Sequence, residues 1–100
     1  MWTVKDYQFM SHAIRLAKYG KYTCNPNPLV GCVITRNDSV IAEGWHKTAG
    51  EPHAEINALL KMDYNNPKKK KLYLTLSPCR MCAKAIVNAG ISEVMYAEEY

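Results

Sequence analysis

The chain has 100 residues, of which 48% are hydrophobic and 22% charged, with a formal net charge of +4. That balance excludes a disordered or low-complexity segment, and no apolar run is long enough to cross a bilayer. Residues 1–100 are expected to form a single domain with a thin stability margin.

Thr3 with Asp6 predicts a helix start, and Met10, Ala13, Ile14 and Ala17 then fall at helical spacing on one face. His12, on the same helix, is expected at the surface. Gly20 suits the position just past the helix end, and Thr23 to Pro28 is a loop with two prolines. Leu29 to Thr35 reads as a strand that is apolar on both faces, hence central. Asn37-Asp38-Ser39 is a turn signal, and Val40 to Trp45 pairs back as a hairpin, with Trp45 closing the core at the strand end. After a loop from His46 to Pro52, Pro52 fits the entry to a second helix. That helix runs through Glu55, Ala58 and Leu59 to about Met62, and Asn65-Asn66-Pro67 breaks it.

The run Lys68 to Lys71 holds much of the excess charge and reads as a solvated loop or strand edge. Leu72 to Leu76 is a third strand. Pro78 opens a third helix with its body from Met81 to Ala89, Gly90 ends it, and Ser92 to Ala97 is a last strand. Met10, Met62, Met81 and Met95 read as packing residues. The alternating second half predicts parallel strands with helices across a sheet, and the first hairpin adds an antiparallel pair. The expected fold is a three-layer α/β sandwich on a mixed sheet.

The four cysteines could form two disulfides. Against that, Met1 to Lys5 opens directly into helical sequence without an apolar leader, and two of the cysteines are better spent on metal. Cys32 lies in the apolar run Leu29 to Ile34 and reads as a small buried hydrophobe. Cys24 falls in a polar loop. The expected compartment is the reducing cytosol.

Two short blocks carry the chemistry: Pro52-His53-Ala54-Glu55 and Pro78-Cys79-Arg80-Met81-Cys82. His53, Cys79 and Cys82 are three ligands suited to Zn²⁺, which leaves a fourth tetrahedral position for water, the mark of a catalytic zinc. Residues three apart on a helix share a face, so both thiolates can reach one ion. The partial positive charge at a helix start favours thiolate over thiol. Glu55 is placed to move the proton that a zinc-held water gives up. Taken alone, Cys-x-x-Cys is also half of a structural zinc site or a redox pair, and His-x-Glu carries little information. Together, each at a helix start after a proline, they point to a hydrolytic zinc site.

His-x-Glu … Pro-Cys-x-x-Cys is the signature of the zinc nucleoside and nucleobase deaminases, and the chain resembles the cytidine deaminase-like superfamily over nearly its whole length. From about Tyr7 to Leu60 it is similar to the deaminase domain of the bifunctional riboflavin-biosynthesis enzyme. The stretches that carry this are Asn25-Pro26-Asn27-Pro28-Leu29-Val30-Gly31-Cys32-Val33-Ile34, Glu43-Gly44-Trp45-His46 and Ala49-Gly50-Glu51-Pro52-His53-Ala54-Glu55. The resemblance implies deamination of a phosphoribosylated diaminopyrimidine and substrate contacts from Asn27 and His46. Without it, these two read as a turn-capping Asn and a surface His. Ser77, just before the Pro-Cys block, could accept a hydrogen bond from the departing amine through its backbone carbonyl.

The second part departs from the riboflavin pattern, which has a longer insert between its zinc cysteines. Pro78-Cys79-Arg80-Met81-Cys82, Ala83 to Ile91 and the ending Tyr96-Ala97-Glu98-Glu99-Tyr100 look like a deoxycytidylate deaminase. The chain reads as two relatives joined near the lysine run, natural or engineered. The resemblance also implies a further helix and strand after the last strand. Without them that strand is a sheet edge or is covered by a partner. The resemblance implies a homo-oligomer, because the family commonly completes its active sites across subunits. A small pyrimidine nucleotide is the expected substrate, with no membrane partner. A nucleic-acid substrate needs a basic groove interleaved with aromatic residues, against which the modest, clustered charge argues. The remaining alternative is a non-catalytic zinc-stabilised fold.

Overall fold

The computed structural model describes residues 2–20, 30–46, 53–62, 69–76 and 80–98. Helix α1 (Val4–Ala17) is followed by a 3₁₀ turn at Lys18–Gly20, and then come β1 (Gly31–Arg36), β2 (Ser39–Trp45), α2 (Ala54–Leu60), β3 (Lys70–Leu76), α3 (Arg80–Asn88) and β4 (Ile91–Glu98). The element order is the one the sequence predicts. The sheet order is β2-β1-β3-β4. β1 is antiparallel to both β2 and β3, whereas β3 and β4 run parallel across α3. β1 is paired along both edges and covered by helices on both faces, which is why Cys32, Val33 and Ile34 are all inaccessible.

Strand alternation divides the core. Val33 and Tyr73 point to one face, where Met10, Ala13 and Leu16 of α1 cover them. Cys32, Ile34, Leu72 and Leu74 point to the other, under Ala54, Ala58 and Leu59 of α2 and Ile86 of α3. Helices on both faces of a mixed sheet make the three-layer sandwich expected. Each of the large aliphatic side chains here contributes about 1.5–3 kcal/mol by leaving water.

The helix start at Thr3 is a reciprocal cap: Asp6 N–H donates to Thr3 Oγ1 at 3.2 Å and Thr3 N–H donates to the Asp6 carboxylate at 2.8 Å. Asn37 and Asp38 take φ of +53° and +61°, the left-handed pair that a two-residue hairpin loop needs. Close approach fixes two glycines. A Cβ at Gly31 would run into the Ala13 carbonyl oxygen, and one at Gly44 would lie 2.6 Å from Ala58 N and 2.7 Å from Ala54 O. α1 and α2 can therefore lie directly on β1 and β2.

Four expectations need correction. Ile14 does not share the buried face of α1, being 43% exposed, and Leu16 is buried in its place. One residue is about 100° of helix, so Ile14 lies on the flank, past the arc centred on Ala13. Met81 is not a packing residue, since it is 80% exposed on the outer side of α3. The lysine run is not all solvated: β3 begins at Lys70, which is buried, with Lys71 following in a central strand. His12 is only partly exposed and pairs with Glu43 of β2 at 2.8 Å. Trp45 caps the α1 side of the core as expected, with Tyr19 edge-on at 5.0 Å and the Lys61 ammonium 5.7 Å above its ring.

Candidate metal centre

The site forms where β2 ends and where α2 and α3 begin. His53 is the N-cap of α2, with extended backbone (φ −68°, ψ 166°) and no side-chain cap bond. Its imidazole is therefore not spent on the helix and can serve elsewhere. Glu55 follows in the first turn and Cys82 lies in the first turn of α3. Cys82 Sγ and His53 Nδ1 are 3.3 Å apart. Donor atoms of His53, Glu55 and Cys82 all lie within 4.8 Å of one another, with His53 exposed and the other two buried. One imidazole and one thiol brought together beside a carboxylate make a donor set that suits Zn²⁺. Cys79, the second expected sulfur ligand, lies outside the described residues, as do Asn27 and Ser77.

His46 continues from β2 and is buried, so the reading of it as a surface residue does not hold. Its ring centroid is 5.4 Å from that of His53, tilted by 60°. His46 Nε2 and Glu55 Oε1 are buried polar atoms with no hydrogen-bond partner. Buried polar atoms are nearly always satisfied, so two orphans beside one potential metal group mark a place built for something from outside. Burial pushes the Glu55 carboxyl up from its ordinary value, opposed by a backbone hydrogen bond and the neighbouring His53. A carboxyl so placed holds a proton more readily than one in water. Burial likewise pushes the Cys32 thiol well up, helped by the Glu55 charge, which keeps it a neutral packing residue. Neither Cys32 nor Cys82 is in a disulfide.

Three hydrogen bonds fix the strand ends beneath the site. His46 N–H donates to Val30 O at 3.1 Å, Gly31 N–H to Thr75 Oγ1 at 3.1 Å, and Asn57 Nδ2 to Trp45 O at 2.8 Å. Asn57 is the group the sequence reading missed. Its place two residues after Glu55 is visible in the sequence, but its partner on β2 is not.

A family model described as the cytidine and deoxycytidylate deaminase zinc-binding region matches residues 3–98. The diaminohydroxyphosphoribosylamino-pyrimidine deaminase of Buchnera aphidicola subsp. Schizaphis graminum is 46% identical, across 92% of this chain and 66% of that relative. The riboflavin biosynthesis protein RibD of Escherichia coli is 40% identical, across 92% of this chain and 26% of its own length. The chain thus spans just under two thirds of one curated relative and about a quarter of the other. Among solved structures, RibD of Acinetobacter baumannii superposes with a TM-score of 0.88 at 42% identity, covering 94% of this chain and 28% of that one. The dCMP deaminase of cyanophage S-TIM5 gives 0.82 at 30% identity, covering 99% and 86%. Likeness to the riboflavin proteins therefore extends through both halves of the chain and on past the lysine run.

Proposed function

Since the chain belongs to the cytidine and deoxycytidylate deaminase zinc-binding family, we propose that it hydrolytically deaminates a small aminopyrimidine nucleotide. The substrate read here is the riboflavin precursor diaminohydroxyphosphoribosylaminopyrimidine. The observation that carries the reaction is the buried, unpartnered Glu55 Oε1 beside His53 and Cys82. The substrate choice is supported by a relative at 46% identity named as a diaminohydroxyphosphoribosylamino-pyrimidine deaminase and one at 40% named as a riboflavin biosynthesis protein, against 30% for the dCMP deaminase.

His53, Cys79 and Cys82 would hold the zinc. Bound there, zinc would supply a Lewis acid that lowers the pKa of water to roughly 7. Glu55 takes one proton from the attacking water and delivers it to the ring nitrogen, then takes the second from the hydroxyl so formed and delivers it to the exocyclic amine. Water adds at the ring carbon, the carbon–nitrogen bond breaks, ammonia leaves and a carbonyl remains. The raised affinity of Glu55 for a proton suits both halves of that relay. His46 Nε2 presents one fixed polar atom to a substrate carbonyl or phosphate. Asn27 would read the pyrimidine edge with its amide donor and acceptor, and the Ser77 carbonyl would accept from the departing amine.

Deoxycytidylate is the second reading, favoured by the short Pro78-to-Cys82 spacing and by the TM-score of 0.82 to a dCMP deaminase. Ammonia release measured against both substrates by the zinc-loaded chain separates them. Faster release from the riboflavin precursor is expected, and no release from any aminopyrimidine contradicts the enzyme reading in favour of a zinc-stabilised, inactive fold. We also read the chain as a homo-oligomer of the cytosol. β4 is an edge strand of the described sheet and leaves Val94 and Tyr96 partly exposed, and the free thiols of Cys32 and Cys82 suit a reducing compartment. Sedimentation is expected to give a mass above the monomer, and a monomer at every concentration contradicts it.

A further inference from the structure

We propose that the end of the sheet remote from the zinc site holds a second binding site, for an oxyanion the size of a phosphoryl group. The metal centre gathers at the start of β1, the end of β2 and the starts of α2 and α3. At the opposite end, the last residues of β1, the Asn37-Asp38 turn and the first residues of β3 and β4 enclose a cleft of about 190 Å³. Arg36, Lys69 and Lys71 line it, together with Asp38, Glu93 and Ser92.

The deciding observation is Arg36 Nη1, which is buried and has no hydrogen-bond partner. A guanidinium cannot shed its charge and its nitrogens only donate. A buried donor of this kind calls for an acceptor, and none comes from the described residues. The Asp38 and Glu93 carboxylates share the cleft, yet no ion pair joins them to Arg36, Lys69 or Lys71 among the described residues. Three cations against two carboxylates leave one excess positive charge, which favours an anion. The Ser92 hydroxyl donates to Lys70 O at 2.8 Å, which ties the start of β4 to that of β3 and holds the cleft's wall in place.

Size selects the ligand. Pockets for drug-sized molecules run to about 300–1,000 Å³, so the cleft is too small for a whole nucleotide. It accommodates a tetrahedral oxyanion, with Arg36 and the two lysines supplying positive charge and N–H donors along its wall. The ligand is therefore either free phosphate or the phosphoryl end of a sugar phosphate.

The test titrates the full, zinc-loaded chain with inorganic phosphate and, separately, with ribose 5-phosphate, at constant ionic strength set with chloride and followed by amide NMR. Saturable shifts at Arg36, Lys71 and Ser92 are expected, weakened at least tenfold in Arg36→Gln. The exposed Lys69→Gln keeps the outcome readable should the first variant not fold, with a severalfold loss expected. Tighter binding of ribose 5-phosphate identifies a sugar phosphate as the source, and equal binding identifies free phosphate. Shifts that grow linearly without saturating, shifts confined to the His46 end, or binding unchanged in both variants overturn the proposal. None of these readouts depends on deamination, so the result stands apart from the zinc reading.

Discussion

Asp6 and Glu55 are both buried carboxyl groups, on opposite faces of the same sheet, and the fold treats them in opposite ways. Asp6, in the first turn of α1, accepts from the Tyr73 hydroxyl at 2.5 Å and from Thr3 N–H at 2.8 Å. These donors, Tyr73 first, hold its carboxyl below the ordinary range despite burial. Glu55, in the first turn of α2, has one oxygen with no donor, and burial pushes its carboxyl up. The difference lies both in depth and in the supply of donors: burial is the leading influence on Glu55, whereas at Asp6 the hydrogen bonds from Tyr73 and Thr3 outweigh it. On the α1 face the polar group is satisfied and joins helix to strand. On the α2 face it is left short, which weakens the fold locally and leaves a carboxyl ready to take and give a proton.

Breaking each carboxyl's environment should therefore have opposite consequences. Glu55→Gln is expected to lower turnover by about 10²–10⁴-fold or more while leaving zinc content unchanged, as checked by ammonia release and metal analysis on one sample. Because the folded Glu55 binds its proton more tightly than the unfolded one, its charged form costs stability at neutral pH, and that cost fades as pH falls. The metal-free Gln variant should then melt slightly higher than the metal-free parent at pH 7. On the other face, Tyr73→Phe takes a donor from a charged acceptor and should cost about 1.5–3 kcal/mol in denaturant unfolding, with the KM and the bound zinc unaltered.

The pH dependence sharpens the same contrast. The folded Asp6 carboxyl lies below its unfolded value of 3.8. Its contribution is therefore complete above that value and lost as pH drops through the folded one. Unfolding followed from pH 5 to 2 should show that loss in the parent and a flatter profile in Tyr73→Phe. The smallest effect expected is that of Asn57→Ala. It removes the bond to Trp45 O, costs about 1 kcal/mol, and loosens His46, raising KM more than it lowers kcat.

Much of the α2 face was legible from sequence, because its parts are local. His53 and Glu55 are two residues apart and Pro52 precedes them, and the helix start that carries them follows from these residues alone. The element order was legible for the same reason: Asn37-Asp38, Gly90 and the apolar runs punctuate the chain at short range. What escaped was long-range. The Tyr73–Asp6 bond joins residues 67 apart, and nothing near either residue announces it. Helical periodicity placed Ile14 inward because it is apolar, although the arc that α1 buries is set by Val33 and Tyr73 beneath it. Composition marked the lysines as solvated, yet Lys70 is drawn into β3 by pairing with Ile91 of β4. The burial of His46 likewise depends on its bond to Val30 and on how closely α2 sits over Gly44.

Carbon-13 NMR titration of the side-chain carboxyls in the folded, metal-free chain tests the contrast most directly. Asp6 is expected to titrate below 3.8 and Glu55 above 4.5, the values each would have in water. Coincident titrations at those ordinary values, or Glu55 titrating below its own, would contradict the division of labour between the two faces.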